Sequence, residues 1–64
     1  MSFRSARHKA GFSVQQVADA LKISDVAVYY WETGQQAPRA SRLLEIAALY
    51  GCTVDELLKP DEEN

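Results

Sequence analysis

Apolar positions recur along this chain in short bursts at three- and four-residue spacing, and each burst is bounded by serine, threonine or glycine. That spacing puts one buried face on an α-helix, and the boundary residues are those that start and stop helices. Five short helices are predicted. Ser2 caps the first, which runs through Phe3, Ala6 and Ala10 and stops at Gly11. Ser13 caps the second, with Gln16 completing a capping box and Phe12 and Val17 at hydrophobic-staple spacing. This helix runs to about Leu21 and buries Val17, Ala18 and Leu21. Lys22 and Ile23 make a very short turn before Ser24, the next cap, and Ile23 and Val28 repeat the staple. The third helix spans roughly Asp25 to Thr33 and Gly34 closes it.

Gln35, Gln36, Ala37 and Pro38 form a polar connection to the fourth helix, where Leu43, Ile46, Ala47 and Tyr50 share one face and Gly51 is the stop. Thr53 and Glu56 form a further capping box for the fifth helix, with Cys52 and Leu57 as its staple. No segment alternates with period two, so strands are not expected and the fold class is all-α. Residues 1–60 read as one domain, and residues 61–64 as a short acidic tail after Pro60.

Sixty-four residues suffice for one small domain, and 47% hydrophobic content is too high for a wholly disordered chain. One cysteine and one histidine exclude an internal disulfide framework and a four-ligand zinc site, so no metal and no cofactor are expected. Cys52 reads as a small buried hydrophobe, and His8 as a residue in contact with solvent or phosphate and not a ligand. No apolar run approaches the ~20 residues of a membrane span, and no signal-peptide core is visible. A cytoplasmic location and a complete small protein are the corresponding expectations.

Net charge is −2, which weighs against a nucleic-acid partner until its distribution is considered. Residues 1–42 carry Arg4, Arg7, Lys9, Lys22, Arg39 and Arg42 against Asp19, Asp25 and Glu32, a balance of +3. Residues 43–64 carry Lys59 against six acids, a balance of −5. One end of the chain can therefore meet phosphate while the other avoids it.

The second and third helices, joined by so short a turn, form the unit that places its second member in a DNA major groove. At 100° per residue, Val28, Trp31, Ser24 and Glu32 fall on the inward side of the third helix. Val26, Tyr30 and Thr33 fall on the outward side, with Asp25 and Tyr29 along one flank and Ala27 along the other. A valine and two tyrosines facing solvent indicate a contact surface. Neither Val26 nor Ala27 has a side-chain hydrogen bond to offer, so thymine C5-methyl groups are their targets, whereas Asp25 can accept from cytosine N4.

With these features the sequence resembles the lambdoid-repressor and Cro type of helix-turn-helix, the XRE family. The resemblance rests on Arg7, Gly11, Phe12-Ser13, Val17-Ala18, Ile23-Ser24, Val28, Trp31-Glu32, Gly34, Pro38, Ile46-Ala47, Tyr50-Gly51 and Leu57-Leu58, and it covers about residues 4–58. It implies a compact five-helix lambda-repressor-like domain that binds double-stranded operator DNA, with the third helix in the major groove. Base contacts then fall to Asp25, Val26, Ala27, Tyr29 and Tyr30. Phosphate contacts fall to Gln15, Ser24, Gln35, Gln36, Arg39 and Arg42, and Arg7 pairs with Glu32 to pin the first helix to the third. The resemblance also implies a palindromic operator, a homodimer and transcriptional repression. No enzymatic activity is expected, since a 64-residue helical domain offers little cleft and Gly11, Gly34 and Gly51 all serve as helix stops, leaving no Gly-rich phosphate loop. The dimer surface is expected around the fifth helix, at Leu57 or Leu58 and the turn Gly51–Thr53.

Three positions depart from the family pattern. Val14 stands where a phosphate-touching glutamine is common, Lys22 where glycine is common in the tight turn, and Asp25-Val26 where basic or amide residues often begin the third helix. An alternative reading uses the same fold as a protein-interaction module, antirepressor-like or antitoxin-like, through Val26, Tyr29 and Tyr30. A third reading is the DNA-targeting head of a larger regulator.

Overall fold

The computed structural model describes residues 2–59; the acidic tail expected at 61–64 lies outside them. Over that span the chain is five α-helices: α1 (Phe3–Ala10), α2 (Val14–Leu21), α3 (Asp25–Thr33), α4 (Ala40–Tyr50) and α5 (Val54–Leu58). No strand occurs among the described residues.

Three of the four joints between these helices share one construction. Each has a residue in the left-handed conformation, then an apolar residue, then a hydroxyl N-cap: Gly11-Phe12-Ser13, Lys22-Ile23-Ser24 and Gly51-Cys52-Thr53. The apolar residue's N–H reaches back to the carbonyl five positions earlier, from Phe12 to Arg7 at 3.1 Å, Ile23 to Ala18 at 3.0 Å and Cys52 to Ala47 at 3.0 Å. This closure satisfies carbonyls left open at the end of one helix. The same apolar side chain packs against the core and stands one residue before the next cap, where it staples the following helix. One residue thus closes the end of one helix with its N–H and sets the start of the next with its side chain.

The caps themselves are made as their residue types dictate. Ser13 Oγ accepts from the Gln16 N–H at 3.1 Å while Gln16 Oε1 accepts from the Ser13 N–H at 2.8 Å, and Thr53 with Glu56 repeats the reciprocal pair at 3.0 Å each. A third capping box joins Ser2 and Ser5. Its shorter serine replaces the usual Glu or Gln, so the sequence pattern did not reveal it. Lys22 is the one non-glycine residue with positive φ among the described residues, at 60°. A Cβ in that conformation costs about 1–2 kcal/mol.

The core takes one fully buried side chain from each of four helices: Val17, Val28, Ile46 and Leu57. Ala6 of α1, Ala18, Ala47, Trp31 and Tyr50 complete it. Phe3 lies against Trp31 and Phe12 against Tyr50, each with ring centroids 6.3 Å apart. Leu21 and Leu43, expected inside, are only partly buried and line its edge. Leu57, expected at the dimer surface as an alternative to Leu58, is instead core, because α5 packs that side against α4 and α1.

Across the core, the Arg7 guanidinium grips the Glu32 carboxylate with two bonds, Nε to Oε2 at 2.6 Å and Nη2 to Oε1 at 3.1 Å. Its remaining nitrogen, Nη1, donates to the Phe12 carbonyl at 3.1 Å. The Glu32 side chain is 1% exposed, and Arg4 adds a longer contact from the surface at 3.5 Å. The hydrogen bond to Glu32, outweighing the cost of burial, raises the pKa of Arg7. This pair ties α1 to α3 and consumes the only carboxylate on the inner side of the recognition helix candidate.

Candidate nucleic-acid interface

Helices α2 and α3 are the most extensively packed pair in the fold, and only Lys22, Ile23 and Ser24 separate them. Val17 and Ala18 of α2 and Val28 and Trp31 of α3 enter the same buried core. The outer face of α3 is thereby held rigidly outward, which is the requirement for reading a groove.

The exposure of α3 differs from the helical projection in its detail. Val26 is 48% and Tyr29 50% exposed, and Asp25 and Thr33 are open as well. Tyr30, expected to point most directly outward, is half-buried, as is Ala27. The outward direction therefore lies between Tyr29 and Thr33, because the side holding Ala27 and Tyr30 is the one the rest of the fold partly covers. Ser24, projected inward, is exposed, since an N-cap has extended backbone (φ −79°) and leaves the helical register. Its hydroxyl accepts from the Ala27 N–H at 3.4 Å, so this residue serves the helix start.

The fourth joint, between α3 and α4, breaks the construction of the other three. Gly34 is left-handed at φ 83°, but Gln35, Gln36 and Ala37 follow it, all exposed, in place of an apolar staple. Arg39 occupies the N-cap of α4 and makes no side-chain cap, whereas the other four helices each have one. The first-turn N–H groups of α4 thus lack a side-chain cap and follow directly on an exposed arginine. A groove of about 400 Å³ opens alongside, between Trp31, Pro38, Arg39, Arg42 and Glu45. Backbone N–H groups at a helix start, a cation and two amides form a surface suited to phosphate.

Arg42 has a different position from Arg39. Its Nη1 donates to the Leu21 carbonyl at 3.3 Å and to Glu45 Oε1 at 2.7 Å, which ties α4 to the end of α2. A phosphate role for this residue must share the guanidinium with those bonds. Sequence reasoning missed the tie because a bond to a main-chain carbonyl has no sequence signal. It also missed Arg4 beside Glu32, although its position three residues before Arg7 placed both on one face of α1. Gln15 is exposed at the start of α2, next to the Gln16 that completes the cap.

Glu32 is neutralised within the fold, so Asp25 is the only acidic charge on the open face of α3. Arg4, Lys9, Lys22 and Arg39 are exposed cations. Among the described residues, no group of acidic, histidine and cysteine side chains could hold a metal ion, and no helix is long and apolar enough to cross a membrane.

No curated protein and no solved structure matches the chain. A family model described as a helix-turn-helix domain matches residues 2–59, the whole of the described span. With five helices, the tight α2–α3 turn and that match in agreement, the chain belongs to the helix-turn-helix domain family, of the XRE and Cro-like kind.

Proposed function

We propose that this protein binds double-stranded DNA sequence-specifically and acts as a small transcriptional repressor. The observation that carries the reading is the open face of α3, where Val26 and Tyr29 stand half-exposed on a helix whose opposite side is anchored by Val28, Trp31 and the Arg7–Glu32 pair. In this reading α3 lies in the major groove, with Asp25, Val26 and Tyr29 toward base edges and Ala27 and Tyr30 at the margin. Gln15, Ser24, Gln35, Gln36 and Arg39 meet phosphate, with Arg42 supporting that surface from α4. Occupancy of a site near a promoter is sufficient to block transcription.

The domain's longest dimension is 34 Å, close to one turn of duplex, so one copy covers a single half-site. In this reading two copies bind a palindrome, one to each half-site. Leu58, 56% exposed on α5, and Leu44, 66% exposed on α4, are the large apolar side chains available to a partner copy.

Enrichment of bound sites from random duplex DNA tests the proposal. A palindromic consensus with half-sites ~34–36 Å apart is the expected result. Binding should weaken with salt along a log–log slope of about −4 to −7, as for roughly 4–8 neutralised phosphates. Arg39→Ala should weaken all sequences equally. The rival, a protein-interaction module, draws on the same exposed Val26 and Tyr29 and on the net charge of −2. Absence of enrichment at low salt, with loss of a protein partner in Val26→Ala, would establish that rival.

A further inference from the structure

The helix offered to the groove is unusual in what it lacks. Between Asp25 and Thr33 there is no arginine, lysine, asparagine or glutamine. Arginine and lysine are the common readers of guanine, and asparagine and glutamine of adenine, because each supplies N–H donors to the purine N7 edge. The four exposed side chains are a carboxylate, a valine, a tyrosine and a threonine. Even the Thr33 hydroxyl is engaged, donating to the Tyr29 carbonyl at 2.9 Å. Guanine and adenine therefore find no charged or amide donor on this face.

Pyrimidines find two matching groups at its first turn. Val26, 48% exposed, presents only methyl groups. The Asp25 carboxylate beside it is exposed and makes no hydrogen bond to any described residue. An ionised carboxylate accepts and cannot donate, so a thymine O4 repels it and a cytosine N4 amine satisfies it. Phosphate repulsion makes an amine donor, cytosine N4 or adenine N6, the condition for bringing the carboxylate into the groove, and of the two only cytosine also offers a C5 position to Val26. N-terminal residues of a recognition helix are also the ones nearest the base edges.

We propose that the first turn of α3 reads the C4–C5 edge of pyrimidines, Val26 packing on a C5 methyl and Asp25 accepting from a cytosine N4 amine. DNA binding is then sensitive to methylation at cytosine C5. 5-Methylcytosine carries the amine and the methyl on adjacent ring atoms, so it satisfies both side chains where cytosine satisfies one and thymine the other. The inference rests on the DNA-binding reading and adds to it the class of base edge recognised.

Base analogues test it without altering the protein. In the duplex recovered by enrichment, each thymine is replaced singly by uracil, which lacks only the methyl, and each cytosine singly by 5-methylcytosine. At the position under Val26, loss of the methyl should weaken binding about fourfold and its gain on cytosine should strengthen binding about fourfold, the worth of one buried methyl. Val26→Ala should shrink both effects, and Asp25→Asn should remove the preference for cytosine over thymine at the position it reads. Both side chains are exposed, and circular dichroism checks that the variants fold. An enriched consensus whose affinity ignores every methyl swap overturns the inference and leaves DNA binding intact. Failure to enrich any duplex overturns both.

Discussion

The Arg7–Glu32 pair permits the most demanding test of how this fold is held. Removing either partner leaves the other charged in a place where the carboxylate is 1% and the guanidinium side chain 10% exposed. Breaking a buried pair from one side costs about 3–5 kcal/mol. For Arg7→Ala the loss should fall at the lower end, because Arg4 already lies 3.5 Å from Glu32 and remains. For Glu32→Ala, Arg7 retains only its bond to the Phe12 carbonyl. A domain of 64 residues has a total stability of roughly 3–9 kcal/mol, so each single variant sits near the edge of unfolding.

Urea melts in a stabilising sulfate buffer keep both variants measurable. The double variant Arg7→Met with Glu32→Leu replaces the pair by apolar volume and should recover most of the loss, since such exchanges are often neutral or stabilising. It should also retain DNA binding, because neither residue belongs to the open face of α3. Single-variant losses that add to within about 0.5 kcal/mol in the double Ala variant would refute the argument, for partners in contact must couple.

Two further outcomes follow from single residues. Lys22→Gly should stabilise the fold by up to about 1 kcal/mol in thermal melts, because glycine relieves the left-handed strain at φ 60° while giving back part of the gain as unfolded-state entropy. Loss of stability in that variant would show that the lysine side chain contributes more than its backbone costs. Burial, with Glu32 adding to it, pushes the Tyr50 phenol from 10.0 up to about 12. The neutral form is therefore favoured by folding: this contribution is complete below pH 10.0 and is lost as the pH rises toward about 12. The loss amounts to roughly 2–3 kcal/mol, and urea melts of Tyr50→Phe should show a correspondingly flatter alkaline decline than the parent chain.

Much of this protein is written in local chemistry. Helix starts at Ser13, Ser24 and Thr53 and stops at Gly11, Gly34 and Gly51 depend on residues within one turn of each other, so they are legible without a fold. The same holds for the staples Phe12, Ile23 and Cys52, and for the burial of Val28 and Trp31, which follows from spacing alone. The left-handed state of Lys22 follows from the resemblance, which puts glycine at that position of the tight turn.

Other features needed the packed structure. Which of Tyr29 and Tyr30 faces outward depends on where neighbouring helices end their cover, a quantity that a helical projection treats as symmetric. The division of labour between Arg39 and Arg42 depends on the Leu21 carbonyl, 21 residues away in sequence and 3.3 Å away in space. The fate of Leu57, core and not interface, depended on how α5 lies against α4 and α1. Local sequence sets which conformations each segment can adopt, and close packing among the five segments decides which side chains are left over for a partner.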